Sequence, residues 1–126
     1  MRGNATNETE FVRNLLDRAF WGVVYHEGEL RTRHKETAIV KSVAAQAGID
    51  VSKITAEDYH EEARETAAEF VEQAMAEVLS SIKWQEEELC KAHAAIALAK
   101  AVILRGKYDI DIEQVRAAAQ KRYDES

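Results

Sequence analysis

Residues 59–103, YHEEARETAAEFVEQAMAEVLSSIKWQEEELCKAHAAIALAKAVI, decide how this chain folds. They hold neither glycine nor proline, the residues that punctuate helices, and the flanking glycines are Gly48 and Gly106. Tyr59, Ala63, Thr66, Ala67, Phe70, Val71, Ala74, Met75, Val78, Leu79 and Ile82 recur at steps of three and four, the period of one buried helix face. Met75, Ile82, Leu89, Ile96 and Ile103 then keep a seven-residue spacing to the end of the stretch. Unbroken, the stretch would be a rod of roughly 70 Å at about 1.5 Å per residue, which needs neighbours to cover it. The spacing permits either continuation or a turn around residues 80–83, and a break or kink near Ser80 is the preferred reading.

Working outward, Thr55 with Asp58 three residues on has the form of a capping box, and Ile54 can staple against Tyr59, so a helix should begin near Ala56. Gly48, able to take the left-handed conformation, is the clearest stop signal and closes a helix from about Glu29, with Val40, Val43, Ala44 and Ala47 inward. An earlier helix is expected from the capping pair Asn7 and Glu10. Its arc is Phe11, Val12, Leu15, Leu16, Ala19, Phe20, Val23 and Val24, and it should weaken near Gly28. Beyond Gly106, Asp111 with Gln114 caps a short last helix running to about Arg122, with Ile110 and Val115 as its staple. The expectation is one all-α domain over residues 1–126, a helical bundle of four to five helices around one long, kinked central helix.

Composition agrees. The chain has 126 residues, 46% hydrophobic and 32% charged, with no proline, five glycines and one cysteine, which suits a single helical domain and not a turn-rich sheet. Cys90 alone excludes an intrachain disulfide framework and fits a reducing compartment. The opening MRGNATNETE lacks the apolar run of a secretory leader, and no apolar stretch is long enough to span a bilayer, so a cytoplasmic protein without a membrane partner is expected. The formal charge of −6 is unevenly spread: residues 57–88 carry eleven carboxylates against Arg64 and Lys83 alone, whereas residues 91–107 carry four basic residues and no acid. That balance opposes direct nucleic-acid binding. Arg31, Arg33, His34 and Lys35 form the one dense basic cluster and read as a solvated helix face.

Three sets of residues are candidates for function. Trp21 and Tyr25 lie together with Asn14 and Arg18 off the apolar arc of the first helix, and large aromatics on a polar face are favoured anchors for a protein partner. Asp58, Glu61, Glu65, Glu69 and Glu72 would make an acidic row on the long helix, able to occupy a basic groove of a nucleic-acid-handling partner. Glu86, Cys90 and His93, at steps of four and three, could meet one metal ion, or His93 could activate the thiol. No second Cys or His cluster completes such a metal site. Glu57 and His60 form an E-x-x-H pair without the second pair a dinuclear site requires, and Glu62 with Glu65 and Glu69 with Glu72 lack a matching downstream E-x-x-D. Phosphate-loop, nucleophile-elbow, H-E-x-x-H and dinucleotide motifs are missing.

The segment around Ile96 is apolar on two sides. Leu89, Ala92, Ile96, Ala99 and Ile103 make one arc and Ala95, Leu98 and Val102 a second, with the polar line Glu86, His93 and Lys100 between them. A helix greasy on two faces is covered on both, by its own domain or by another subunit.

The run AGIDVSKITAEDYHEEARETAAEFVEQA is similar to the first loop and central helix of the histone fold, and KYDIDIEQVRAAA to that fold's second loop and last helix. Some fifty residues separate Thr55 from Gly106, about twice what one central helix of that fold needs, and Tyr108 and Asp109 stand where the DNA-gripping residues would be, so the resemblance is not adopted. The expected function is that of a non-enzymatic helical interaction or regulatory protein, binding another protein or copies of itself, with no catalytic, cofactor or metal site. The alternatives are an inhibitor acting through the acidic row, and a small metal or thiol enzyme using Glu86, Cys90 and His93.

Overall fold

A computed structural model describes the backbone of residues 2–126 and the side chains from residue 7 onward. Among the described residues it is all-helical: α1 spans Arg2–Ala47, a single 3₁₀ turn Ala56–Asp58, α2 Ala67–Gly106 and α3 Ile112–Glu125. Three helices replace the four to five expected, because two predicted breaks do not occur. Gly28 lies buried inside α1, and one glycine costs a helix only about 1 kcal/mol relative to alanine, which 46 residues of helix absorb. Asn7 sits inside α1 rather than capping it. α2 passes Ser80 without interruption; its heptad-spaced Met75, Ile82, Ile96 and Ile103 are all buried, so continuing the helix keeps that face covered.

The stop at Gly48 forms as read. Gly48 has φ +70°, Ile49 N–H donates to Ala44 O at 2.8 Å and Gly48 N–H to Ala45 O at 3.3 Å, closing the helix in a Schellman motif. α2 ends the same way one residue later than its glycine: Lys107 takes the left-handed conformation (φ 53°), and Tyr108 N–H donates to Ile103 O at 3.2 Å. Gly106 serves another purpose, since a Cβ there would stand 2.2 Å from Cε2 of the Tyr108 ring.

The predicted helix start at Ala56 is only the 3₁₀ turn. Asp58 Oδ2 does accept from Thr55 N at 2.8 Å, but Tyr59 is extended and residues 59–66 stay outside any helix. Gln73, buried to 7%, supplies what a helix would have supplied: its Oε1 accepts from His60 N at 3.0 Å and its Nε2 donates to Asp58 O at 2.9 Å. The working cap of α2 is Thr66, whose Oγ1 accepts from Glu69 N at 3.1 Å, while Glu69 Oε2 accepts from Glu65 N at 2.9 Å. Tyr59, Ala63 and Thr66 therefore leave the predicted helical stripe, and Ala67 and Phe70 are exposed.

Contacts divide the chain into two compact units. The first joins residues 1–27 to 88–126. Its core is Val12, Leu16, Ala19 and Phe20 of α1, Ile96, Ala99 and Ile103 of α2, and Ile110, Val115 and Ala119 around α3, with Asp111 capping α3 through Gln114 N at 3.1 Å. The second is residues 28–87, where Ala44, Val51 and Met75 gather Val40, Ile49, Ile54, Val71 and Leu79. In this unit Lys83 Nζ donates to Glu57 Oε1 at 2.8 Å; that hydrogen bond, with the lysine's charge behind it, holds Glu57 below its ordinary pKa, and Lys83 is held above its own. Arg33 is clamped between Glu29 and Glu36, while Arg31, His34 and Lys35 face solvent as the sequence implied.

Candidate interaction surface

In the first unit α1 and α2 run antiparallel. Tyr108, just beyond α2, reaches Glu8 near the start of α1 (Oη to Oε2, 3.4 Å), and further along a Cβ at Gly22 would stand 3.3 Å from that of Ala92. Two antiparallel helices are related by a twofold axis normal to their common plane, so equal rotations about each helix point to the same side of the pair. One residue forward from the core is a turn of about 100°. Asp17 and Trp21 stand one residue after Leu16 and Phe20, and α3 packs there: Arg122 Nη2 donates to Asp17 Oδ2 at 2.9 Å, its guanidinium lies 5.6 Å from the Trp21 ring, and Tyr123 meets that ring edge-on at 6.0 Å. His93 and Lys100 stand one residue after Ala92 and Ala99, and with Phe20, Ile96 and Arg116 they line an open hollow of about 570 Å³ on the same side.

One residue backward from the core gives the opposite side, and it is bare. Phe11 and Leu15 precede Val12 and Leu16; Leu98 and Val102 precede Ala99 and Ile103. These four are 64%, 42%, 66% and 37% exposed, whereas their following neighbours are all buried. The antiparallel pair therefore carries four large apolar side chains on the face turned away from α3. Contiguous apolar exposure of this kind marks interaction sites. Of the two apolar arcs read around Ile96, the chain covers one and leaves Ala95, Leu98 and Val102 open, and the first helix likewise leaves Phe11 and Leu15 out of its expected buried arc.

The second unit, taken by itself, shows the same offset. Ile39 and Val43 precede Val40 and Ala44, Phe70 precedes Val71, and Trp84 precedes the buried Gln85; all four are exposed. One residue forward, Ala76 after Met75 is fully buried and Lys83 after Ile82 is tied to Glu57 in the loop.

The candidate anchors separate. Trp21 is half-buried and packs within its own unit against Arg122 and Tyr123. Tyr25 stays 41% exposed, edge-on to His26 at 5.1 Å. The acidic row is not a helix face: Asp58 closes the 3₁₀ turn, Glu61 and Glu65 lie in the non-helical 59–66 segment, and Glu69 and Glu72 open α2. Of these, Asp58 and Glu69 are engaged in capping bonds. Glu86, Cys90 and His93 are exposed, and among the described residues no three His, Cys, Asp or Glu side chains are grouped to hold a metal ion. No described helix is long and apolar enough to cross a membrane.

Sequence reasoning found Leu98 and Val102 but placed Phe11, Leu15 and Phe70 in the core and passed over Trp84 and Gln73. A signal was present: Phe11-Val12, Leu15-Leu16, Leu98-Ala99 and Val102-Ile103 are apolar doublets, wider than the stripe one neighbour can cover. Comparison with protein-family models, with curated proteins and with solved structures finds no match, so the histone-fold resemblance gains no support from them.

Proposed function

We propose that this chain is a non-enzymatic helical interaction protein that works through protein–protein contacts, self-association among them. The observation that carries the reading is the bare flank of the first unit, where Phe11, Leu15, Leu98 and Val102 stand exposed beside a packed core. Fully burying one such side chain is worth about 1.5–3 kcal/mol, so four of them on one face are a strong drive toward association. Arg18 and Lys91 are exposed on the same backward-offset sides of α1 and α2, Lys91 paired with Glu88.

Thermal unfolding at several protein concentrations tests it. Self-association raises the melting temperature as concentration rises, because the associated form binds only folded chains. A Leu15→Asp, Leu98→Asp double variant should stay helical and lose that dependence; a wild-type melting temperature independent of concentration, with no other protein retained on the flank, contradicts the reading.

A further inference from the structure

The polar line of α2 through His93 and Lys100 is one wall of the hollow of about 570 Å³, a size within the roughly 300–1,000 Å³ of small-molecule sites. α3 forms the facing wall with Arg116, Ala117 and Gln120. The floor between them is apolar, made by buried Phe20, Val24 and Ile96 and half-buried Val23. All of these residues belong to the first unit.

The hollow is long, and its two ends differ in charge. Gly22 and Ala92 stand side by side, so the antiparallel helices carry Lys100, further along α2, and Glu27, further along α1, away from that point in opposite directions. At about 1.5 Å per residue the two are roughly 20 Å apart along the helix axes. α3 begins just past the end of α2, so Glu113 and Arg116 in its first turns lie toward the Lys100 end. There Arg116 Nε donates to Glu113 Oε2 at 3.0 Å, which offsets that carboxylate. Lys100 has no acid to meet on its own helix, where the residues three and four positions away are Ile96, Ala97, Ile103 and Leu104, and it forms no ion pair among the described residues. One end is thus left positive beside an apolar floor, and the acid Glu27 is confined to the other.

We infer that this hollow binds a single-chain amphiphilic anion, an alkyl carboxylate, with its head between Lys100 and Arg116 and its chain laid along Ile96, Phe20 and Val23. The head makes charge-assisted hydrogen bonds to cations on two different helices, and the floor takes the chain out of water. A cationic amphiphile of the same chain meets Lys100 with like charge. The site lies on the α3 side of the helix pair, away from Phe11, Leu15, Leu98 and Val102, and does not depend on association.

Titration with dodecanoate below its micellar concentration, followed in amide NMR spectra, tests the assignment. Saturable shifts are expected at residues 20–24, 96–100 and 113–120, and dodecyltrimethylammonium should bind at least roughly ten-fold more weakly. Lys100→Glu should weaken dodecanoate by roughly ten-fold while Lys100→Arg retains it. Ala117 is exposed at the edge of the hollow, so Ala117→Trp should fill the space and abolish binding with the helices intact by circular dichroism. The Leu15→Asp, Leu98→Asp double variant should bind as the wild type does. Shifts confined to the Phe11 and Leu98 flank, equal binding of the cationic amphiphile, indifference to Lys100→Glu, or no saturable shift each overturn the inference. A chain that proves monomeric at every concentration overturns the association reading and leaves this site standing.

Discussion

Truncating Leu98 to alanine separates the surface from the fold. Two-thirds of this side chain, 66%, is still exposed, while the next residue, Ala99, is 5% exposed and in the core. Full burial of a leucine is worth about 1.5–3 kcal/mol, so covering the exposed two-thirds in a complex contributes about 1–2 kcal/mol. In a twofold pair the residue counts twice, giving about 2–4 kcal/mol, or a dissociation constant weakened roughly 30- to 700-fold. The folded chain itself should change by no more than about 0.5 kcal/mol, as exposed substitutions do. Ile103→Ala, five residues on but 5% exposed, is the opposite case: it should lower chain stability by about 2–5 kcal/mol through a core cavity. Sedimentation velocity over a dilution series reads the first effect and denaturant unfolding the second. Leu98→Ala that unfolds the chain, or that leaves the dissociation constant unmoved, refutes the division into covered and bare sides.

Further outcomes follow from the same geometry. Gln73→Leu strips the partners from His60 N and Asp58 O and should cost about 1–3 kcal/mol in urea unfolding, with hydrogen exchange rising in residues 58–66 before the rest. Lys107→Gly relieves a left-handed non-glycine residue and should stabilise the chain by about 1 kcal/mol, whereas Gly106→Ala drives a methyl into the Tyr108 ring and should lower the melting temperature. Arg122→Ala removes both the cation over Trp21 and the bond to Asp17; a shift in tryptophan emission with a loss of about 0.5–1 kcal/mol is expected. Glu57 titrates lower when folded than when unfolded, so its contribution is full above the ordinary carboxylate value and disappears as pH falls through the folded one; Glu57→Gln should flatten that part of the acid-unfolding curve.

What could be read from sequence were features closed within a few residues. Gly48 needs only a left-handed residue and the carbonyls just before it, and Asp111 needs only Gln114, so both ends form as expected. The helix at Ala56 failed for a non-local reason. Its cap at Thr55 and Asp58 is real, yet a glutamine fifteen residues beyond Asp58 takes the backbone groups that would have propagated the turn. The capping pair that starts α2, Thr66 with Glu69, has the same S/T-x-x-E form and was masked by the apolar stripe running through it. Breaks at Gly28 and Ser80 do not form: one interior glycine costs only about 1 kcal/mol, neither glycine nor proline stands near Ser80, and burial holds a long helix against its neighbours.

The interaction surface was half legible. Periodicity marks which side of each helix is apolar, and around Ile96 it marked two; it does not say how wide a stripe the neighbouring helix covers. That width depends on where α3 and the loop after α1 settle: Arg122 of α3 meets Asp17 and Lys83 meets Glu57 on the forward-offset side, while Phe11, Leu15, Leu98 and Val102, each one residue before a core position, stay exposed. Trp21, lying off the apolar arc, takes part in the docking of the last turn of α3, a contact that periodicity along α1 does not reveal.

Sedimentation equilibrium of the wild-type chain bears most directly on whether this bare side has a natural cover. The account predicts a molar mass that climbs with concentration to twice the chain's 14.2 kDa and returns toward that single-chain value when Leu15 and Leu98 become aspartate. A mass fixed at one chain throughout, with the wild type and the aspartate variant indistinguishable, would contradict it.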